Sequence, residues 1–549
     1  MVIKIAHYFA VFLCFVIPVA WWTRLNANYY STKLTLLFLV GAVAWLAIPQ
    51  KVTLPKLPKA MLISVLGIIG FQVVKHTYMF SFYDYLNFGE FISFAALVLW
   101  FYSLNHDLEQ IYKKTTYVIF ITIVAILGVS LYEFYLNRIV KLSTDILAVL
   151  GTFGNVNMFA EFLVLALPFL FYWTRYKDKI PVWIKLSLFS IWIFFILYCR
   201  SRSAWLGFAF WIIFQFRYKI TKRELVHIGL GLIFYFISIF APTNVQDEKI
   251  NAWKSSSLKS RQAMYEATFE LIKDHPWGIR PGTFLGEIEP YQMNGSVKPS
   301  EFQYYDQPHS EFLKWTAQLG WLFLVLVFVF LFSVVWQLGK WFINRKNPIL
   351  IGSFAALIPQ LFFQFPFENP ASLMFLGLLV ALFFKEFAMG KIINIHFSYR
   401  PIAYILFLAG VYNSVGFVNS VYQESTFPRS EKIIAACDYY PISFKTCHAK
   451  LGYFLDNKQF DKFIIDYKAN VIHQPLFVDY LRLLPTYYSV KQNAKKTCEA
   501  LFFYKSMFPE QQAFESKYYE DCKGFTNFFY FDEPKKYKAR YLAWLDNLN

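Results

Sequence analysis

Charged side chains are scarce along this chain. They make up 16% of the residues, and the acidic ones (36) are fewer than the basic ones (53). Hydrophobic residues reach 57% and the mean hydropathy is +0.38, which is too apolar for a soluble protein and typical of a helical membrane protein. The formal charge of +17 is then better explained by loop orientation and contact with anionic lipid headgroups than by nucleic-acid binding.

Cysteine is also rare. The chain has six cysteines, and none has the C-x-x-C spacing of a structural zinc site, so we expect no metal. Cys14 and Cys199 lie in or beside apolar segments, whereas the other four lie in the polar C-terminal region. An oxidising compartment would pair those four. Of the three possible connectivities we favour the local one: Cys437 with Cys447 and Cys498 with Cys522.

Two further features are missing from the sequence. The first apolar segment ends in Pro18-Val19-Ala20-Trp21-Trp22 and lacks the small-residue cleavage site of a signal peptide, so we expect it to remain as a helix. No internal repeat is apparent, and the ionisable residues crowd the ends of the apolar segments. Because transporters tend to have repeats and midplane charges, a membrane transporter is only an alternative.

Apolar stretches close to the roughly 20 residues that cross a bilayer recur along the chain. We therefore predict an all-α, polytopic membrane protein with about twelve to fourteen transmembrane helices. The predicted spans are 5–22, 34–49, 60–74, 88–103, 115–132, 157–173, 183–199, 203–217, 225–241, 319–339, 349–364, 370–385 and 401–418.

The distribution of lysine and arginine predicts the orientation. Lysine and arginine are more frequent in the short loops on the same side of the membrane as the N-terminus than in those on the other side. Because cytoplasmic loops are enriched in these residues, the N-terminus is predicted to lie in the cytoplasm. The predicted domains are a membrane domain, 1–420, with a polar loop inserted at 242–318, and a small helical domain at 422–549. Both polar regions would lie outside the cytoplasm. The C-terminal domain would either cap the outer face or hold a protein acceptor.

The inserted loop ends with a histidine close to a membrane span. Ser257–Lys273 is predicted to form an amphipathic helix, ended by His275-Pro276. The loop closes with His309-Ser310-Glu311-Phe312-Leu313, which leads into the span at 319–339. His309 is therefore expected near the membrane surface, where its imidazole could act as a general base on a membrane-borne substrate.

Two arginines lie in the very short outer connection Arg200-Ser201-Arg202-Ser203. A guanidinium group stays charged and grips phosphate through two hydrogen bonds, so this pair suits a diphosphate. The alternative is that the arginines reach towards lipid headgroups.

Other polar residues lie at the ends of predicted spans. Asn155 and Asn157, in Gly151-Thr152-Phe153-Gly154-Asn155-Val156-Asn157, would either cap the following helix or bind an anion or sugar. Glu161, one turn inside that helix, is expected to face a cavity or a cationic partner. Glu368, in a tight outer turn, would pair with an arginine or with His309, or remain a solvated acid.

The order of these motifs resembles the O-antigen ligase and polymerase superfamily, which includes the bacterial protein O-oligosaccharyltransferases. The resemblance covers roughly residues 150–385. Its most specific part is H-[NS]-x-x-L-x-x-x-x-x-x-G, matched by His309, Ser310, Leu313 and Gly320. GTFGNVN, SRSAW and R-x-x-x-Y, which begins at Arg261, are weaker matches. Members often read P-x-x-G-x-G-x-G-x-F, whereas residues 276–284 read PWGIRPGTF, with Arg280 where a small residue is usual.

The resemblance implies a GT-C-like fold and transfer of a glycan from undecaprenyl diphosphate at the periplasmic face of the bacterial inner membrane, without a cofactor. His309 would take the proton of an acceptor hydroxyl, while Arg202 and Arg261, helped by Arg200, hold the leaving diphosphate.

The acceptor is less certain from the sequence. The C-terminal domain and the Glu368-Asn369-Pro370 turn resemble the branch that glycosylates Ser or Thr of pilin-like or other exported proteins. Ligation to lipid A core and polysaccharide polymerisation are the alternatives. A membrane anchor without activity would leave the paired arginines and the long loop unexplained.

Overall fold

Helices form nearly all of the described structure. The structure is a computed structural model, and the residues it describes are 2–19, 29–48, 51–54, 59–78, 84–103, 108–140, 151–153, 155–218, 220–240, 248–279, 284–292, 308–344, 347–364, 366–367, 369–387, 393–396, 400–426, 430–439, 444–473, 478–507 and 522.

The helices are numbered in chain order, and each predicted span coincides with one of them. They are α1 (Val2–Val19), α2 (Tyr29–Ala47), α3 (Lys59–Tyr78), α4 (Asp84–Ser103), α5 (Leu108–Phe134), α6 (Val156–Arg175), α7 (Val182–Tyr198), α8 (Arg202–Phe216), α9 (Lys222–Phe240), α10 (Glu248–Asp274), α11 (Phe284–Gln292), α12 (Glu311–Leu319), α13 (Trp321–Ile343), α14 (Pro348–Phe363), α15 (Pro370–Phe387), α16 (Arg400–Thr426), α17 (Lys432–Tyr439), α18 (Phe444–Asp456), α19 (Phe460–His473), α20 (Val478–Val490) and α21 (Ala494–Met507).

The all-α membrane architecture is confirmed. Within the described part of the chain, four helices are long and apolar enough to cross a membrane: Tyr117–Asn137, Val156–Arg175, Trp321–Ile343 and Pro401–Ser420. Shorter apolar helices accompany them: Tyr8–Val19, Lys33–Ala47, Met61–Val74, Gly89–Ser103, Val182–Tyr198 and Pro348–Phe363. Helices satisfy their own backbone hydrogen bonds, which a bilayer requires, and the chain is a multi-pass membrane protein.

The centre of the bundle is built from α6, α8 and α14. Gly207 of α8 lies so close to α14 that an added Cβ would be 2.8 Å from the carbonyl oxygen of Ala356. Small residues allow this approach between membrane helices. Trp211, one turn further along α8, is fully buried and meets Phe171 of α6 at 5.2 Å between ring centroids. The first turns of α8, which begins at Arg202, are therefore held firmly.

The first and last parts of the membrane domain adjoin. Asn413 of α16 donates a 2.8 Å hydrogen bond to Thr35 of α2. Strand β1 (Lys51–Leu54) pairs antiparallel with β2 (Ile393–His396), with Lys51 opposite His396. This short two-stranded sheet was not predicted, because four residues beside a long apolar run carry little strand periodicity.

The predicted span at 319–339 corresponds to α13, which begins at Trp321. Gly320 has φ 85° and ψ 174°, which interrupts the helix, so α12 ends at Leu319 and α13 begins at Trp321. Helix α12 then folds back along α13, where Phe312 stacks on Phe328 at 5.6 Å between ring centroids. Helix α10 ends before His275 as predicted but begins earlier, at Glu248.

The C-terminal helices α17 to α21 form a separate cluster joined to α16. Tyr412 donates a 2.6 Å hydrogen bond to the carbonyl oxygen of Tyr439. The structure has the local disulfide pairing, Cys437 with Cys447 and Cys498 with Cys522. Lys450, only 7% exposed at its side chain, forms salt bridges with Asp438 and Asp466, so one ammonium group links α17, α18 and α19.

Candidate active site

His309 lies immediately before α12 in an unusual backbone conformation. Its φ is 49°, in the left-handed region that residues with a side chain seldom adopt. Ser310 follows as the N-cap of α12 and accepts a hydrogen bond from the backbone N–H of Leu313. The hydroxyl of Tyr265 reaches the carbonyl oxygen of His309 at 3.4 Å. Such backbone strain is typical of functional positions and must be held in place by the surrounding structure.

Two glycines dock the inserted loop onto the start of α13. Gly278 and Gly320 have φ of 81° and 85°, and their backbones touch. An added Cβ on Gly278 would lie 2.5 Å from the carbonyl oxygen of Gln318, and one on Gly320 would lie 2.6 Å from the carbonyl carbon of Trp277. Both positions therefore require glycine. Gly320 is the last residue of the histidine motif, and this contact explains why the motif needs it.

Backbone hydrogen bonds and apolar packing complete this docking. The N–H of Ile279 donates to the carbonyl oxygen of Ala317 at 2.8 Å, and the N–H of Trp321 donates to that of Pro276 at 3.1 Å. Buried side chains of α10, α11 and α12 form one apolar cluster: Met264, Ala267, Leu271, Ile272, Ile279, Phe284, Ile288, Tyr291 and Ala317. As a result α10 is fixed beside α12, and its Arg261 is brought to His309.

Arg202, Arg261 and His309 are electrostatic neighbours. The pKa of His309 is lowered to about 4, mainly by burial and to a smaller extent by the positive charge of Arg261. The pKa of Arg261 is also lowered, first by burial and then by Arg202, while Tyr265 acts in the opposite direction. His309 is therefore neutral at pH 7 and able to accept a proton. Arg261 lies beside His309, and Arg202 lies beside Arg261.

Arg200 has a different neighbour. Its φ is 49°, so Arg200, in the short connection between α7 and α8, has the same left-handed backbone conformation as His309. The guanidinium group lies within side-chain hydrogen-bonding reach of Tyr235 on α9. The structure thus groups Arg202 with Arg261 and places Arg200 against α9.

The N-termini of four helices are connected through contacts of α14 and of the turn before α15. The C-terminal end of α14 connects two of them: Gln360 donates to the carbonyl oxygen of Ser203 in α8 at 2.9 Å, and Phe362 packs on Phe312 of α12. Asn369, just before α15, donates to the carbonyl oxygen of Met158 in α6 at 3.2 Å. Each N-terminus carries about half a positive charge. The N-termini of α8 and α12, which begin at Arg202 and Glu311, therefore add positive potential beside Arg202 and His309.

Two buried carboxylates hold the turn before α15. Glu311 accepts a 2.8 Å hydrogen bond from the N–H of Phe367, and burial raises the pKa of Glu311 to about 7. Glu161 accepts bonds from Ser372 at 2.8 Å and from Asn369 at 3.3 Å. These contacts attach the turn to α12 on one side and to α6 on the other.

The remaining sequence candidates have varied positions. Asn155 is exposed and caps α6, accepting hydrogen bonds from the N–H groups of Asn157 and Met158, so capping is the role that the structure shows. Arg280 and Glu368 lie outside the described residues. In the part of the chain that the structure describes, no three His, Cys, Asp or Glu side chains are grouped to hold a metal ion.

Two site residues were not selected from the sequence. Tyr265 lies four positions after Arg261, and this spacing places both on one face of a helix, so the R-x-x-x-Y motif held the signal. Glu311 lies two positions after His309 within the quoted motif, but its burial depends on the fold of α14 and the following turn. No local pattern marks that contact.

A comparison with family models gives one match. Residues 186–329 match the model of a family described as O-antigen ligase. This match supports the resemblance of the chain to the O-antigen ligase and polymerase superfamily. The O-antigen ligase match contains the arginine connection, the inserted loop and the histidine motif, and it ends inside α13. Searches of curated proteins and of solved structures found no significant match.

Similarity to the O-antigen ligase family over residues 186–329 supports a glycosyl-transfer role for the chain. The matched segment includes both glycines of the docking contact and all three residues of the Arg202, Arg261 and His309 group. Glu161, Asn369 and the C-terminal helices lie outside it.

Proposed function

We propose that this protein transfers an oligosaccharide from undecaprenyl diphosphate to Ser or Thr hydroxyls of exported, pilin-like proteins at the periplasmic face of the bacterial inner membrane. The observation that carries the proposal is the grouping of Arg261 with Arg202 and with His309, beside the N-termini of α8 and α12. A diphosphate ester is the donor chemistry that such a cationic site suits best.

The arginines and helix N-termini act on the leaving group. When the bond between the anomeric carbon and the phosphate oxygen breaks, the electron pair stays on the diphosphate, which gains negative charge. Arg202 and Arg261 can each offer two parallel N–H donors to that charge, and they are in place before reaction begins. Arg200, beside Tyr235, is expected to act on the more distant part of the donor.

His309 acts on the acceptor. Its neutral imidazole takes the hydroxyl proton as the acceptor oxygen forms the new bond to the anomeric carbon, with inversion at that carbon. A low pKa makes a weak base, but the bound diphosphate offsets the charge of Arg261 and raises the pKa of His309. Donor binding thus prepares the base. The proton then leaves to water, and undecaprenyl diphosphate is released.

The choice of a protein acceptor rests on the C-terminal helices. They form a disulfide-linked cluster attached to α16, beyond the membrane domain that holds the site. Disulfides fit the oxidising periplasm, in agreement with the orientation predicted from lysine and arginine. Ligation of O-antigen to lipid A core is the second candidate, and it is favoured by the description of the matched family.

The decisive experiment removes His309. In cells that make the lipid-linked glycan, His309→Ala should remain in the membrane and lose glycan transfer, while His275→Ala, at an exposed histidine of the same loop, should retain it. Mass spectrometry of exported proteins and a lipopolysaccharide gel from the same cells identify the acceptor. A lost glycan mass on pilin supports the proposal, and loss of the O-antigen ladder alone supports the second candidate. Normal transfer by His309→Ala would exclude His309 as the base.

A further inference from the structure

Trp277 is highly exposed although its backbone is rigidly held. It is 73% exposed and lies in the turn between α10 and the docking contact with α13. The turn is closed by the hydrogen bond from Gly278 N–H to the carbonyl oxygen of His275, at 2.8 Å. Gly278 packs against Gly320. The exposure of this large apolar ring is therefore a fixed feature of the surface, which requires an explanation.

The neighbour of this turn is the first residue of a membrane span. The N–H of Trp321 donates to the carbonyl oxygen of Pro276, and the backbone of Gly320 lies against that of Trp277. Trp321 is 49% exposed, and the exposed face of α13 continues with Leu322 and Val325. That face belongs to a helix long and apolar enough to cross a membrane. The surface around Trp277 is thus continuous with a lipid-facing surface.

Helix α3 gives the level of this surface. Phe71 meets Phe323 at 5.9 Å between ring centroids, and Gly67 lies against Leu326. Because the two helices run antiparallel, Trp321 is level with residues 73–74 of α3. Val74 is 65% exposed, and the next residue, Lys75, is the first charge after the apolar stretch. Trp321 therefore lies at the edge of the hydrocarbon region.

We propose that Trp277 and Trp321 form an aromatic anchor that inserts into the outer membrane interface, where acyl chains meet headgroups. Indole rings favour this layer because one edge is apolar and the N–H can reach water or headgroups. The anchor fixes the end of α10 and the α12–α13 junction at the membrane surface. It thereby sets the height of the inserted loop over the bilayer, and it does so whatever reaction the loop performs.

A depth measurement tests the anchor in the full-length protein. A fluorescent probe is attached to Trp277→Cys in bilayers that contain spin-labelled phospholipids. Cys14 and Cys199 are buried and the other cysteines are paired, so labelling of the parent protein measures the background. Val325→Cys, on the lipid-facing side of α13, and Asn457→Cys, in an exposed turn between α18 and α19, are the membrane and water controls.

The anchor predicts that lipid quenchers reduce the signal at position 277 severalfold more than at position 457, approaching the effect at position 325. Trp321→Cys, as a second probe position, should behave in the same way. Equal quenching at positions 277 and 457 by a water-soluble quencher, without lipid quenching at 277, would overturn the proposal. A probe at 277 that responds to soluble oligosaccharide but not to lipid quenchers would also overturn it and assign Trp277 to a sugar-binding surface.

Discussion

The inserted loop and the C-terminal helices are both polar additions to an apolar bundle, yet they are held by different means. The loop is attached by backbone contact between Gly278 and Gly320 and by the buried carboxylate of Glu311. The C-terminal cluster is held by two disulfides and by the buried ammonium group of Lys450. A close backbone contact restricts how the two segments can be placed in the folded protein. A disulfide acts mainly by restricting the unfolded chain. The contacts of the loop therefore fix the position of its residues relative to α12 and α13, whereas the disulfides mainly stabilise the C-terminal cluster against unfolding.

The largest expected effect comes from breaking the loop contact. Gly320→Ala places a Cβ about 2.6 Å from the carbonyl carbon of Trp277 at a position with φ 85°, so α10 must move away from α12. A displacement near 1 Å at a reacting group can cost about a hundredfold in rate. We expect a loss of that order in transfer to any acceptor. The disulfides of the C-terminal cluster should remain intact on a non-reducing gel.

Gly339→Ala is the matched control for that prediction. It lies in the same helix, α13, and an added Cβ there meets no atom within 4 Å. Wild-type transfer by Gly320→Ala would show that the glycine contact is dispensable for placement of the site.

The second effect concerns the charge that the loop brings to His309. Burial and then Arg261 lower the pKa of His309 to about 4, and the neutral form is the active base. Transfer should therefore fall only as pH drops towards 4. In Arg261→Gln, the pH below which the residual kcat/KM falls should be higher than in the wild type. The pKa of His309 should rise in this variant, because the nearby positive charge is removed and only burial still lowers it. Lys273→Gln, an exposed charge on the same helix, should leave the limb unmoved, and an unshifted limb in Arg261→Gln would contradict the pairing.

The third effect is confined to the C-terminal cluster. Replacing Cys437 and Cys447 together by serine opens a disulfide whose cysteines are ten positions apart, which should lower the stability of this cluster by about 2–3 kcal/mol. Protease cleavage of the cluster should become faster. Transfer to a small hydroxyl acceptor should be unchanged. A parallel loss of that activity would show that the two regions are not independent.

The smallest effect is a pH dependence from Glu311. Burial raises its pKa in the folded protein to about 7, above the usual value of a carboxyl group, so the folded state binds the proton more tightly. Its contribution to stability is complete at low pH and is lost as pH rises towards 7. The free energy of unfolding of the wild type, relative to that of Glu311→Gln, should therefore decrease between pH 5 and pH 8. Glu270→Gln, at an exposed pair, should show no such trend, and a constant difference for Glu311→Gln would exclude the shifted carboxyl.

The sequence predicted the helices well because membrane spans leave a strong compositional signal. Every predicted span contains a helix, and near the site the span predicted from 319 begins after Gly320, where an apolar run conceals a turn that depends on backbone angles. Motif order also selected Arg202, Arg261 and His309, and in the fold Arg261 neighbours the other two. Their roles in a site stay predictions. The β1–β2 pair and the contact of Glu311 with Phe367 could not be found this way, because each joins segments far apart in the chain.

Contacts between the two ends of the membrane domain have a consequence for biosynthesis. The hydrogen bond between Thr35 and Asn413 joins residues 378 positions apart, and β1 gains its partner only when residues 393–396 have been made. Helix α2 therefore enters the membrane long before its neighbour α16 exists. Until α16 has been translated, the hydroxyl of Thr35 lacks its hydrogen bond from Asn413. Before residues 393–396 have been made, β1 has an unpaired edge. A chain that stops after α15 would lack both contacts, so we expect its first helices to be held less firmly than in the full-length protein.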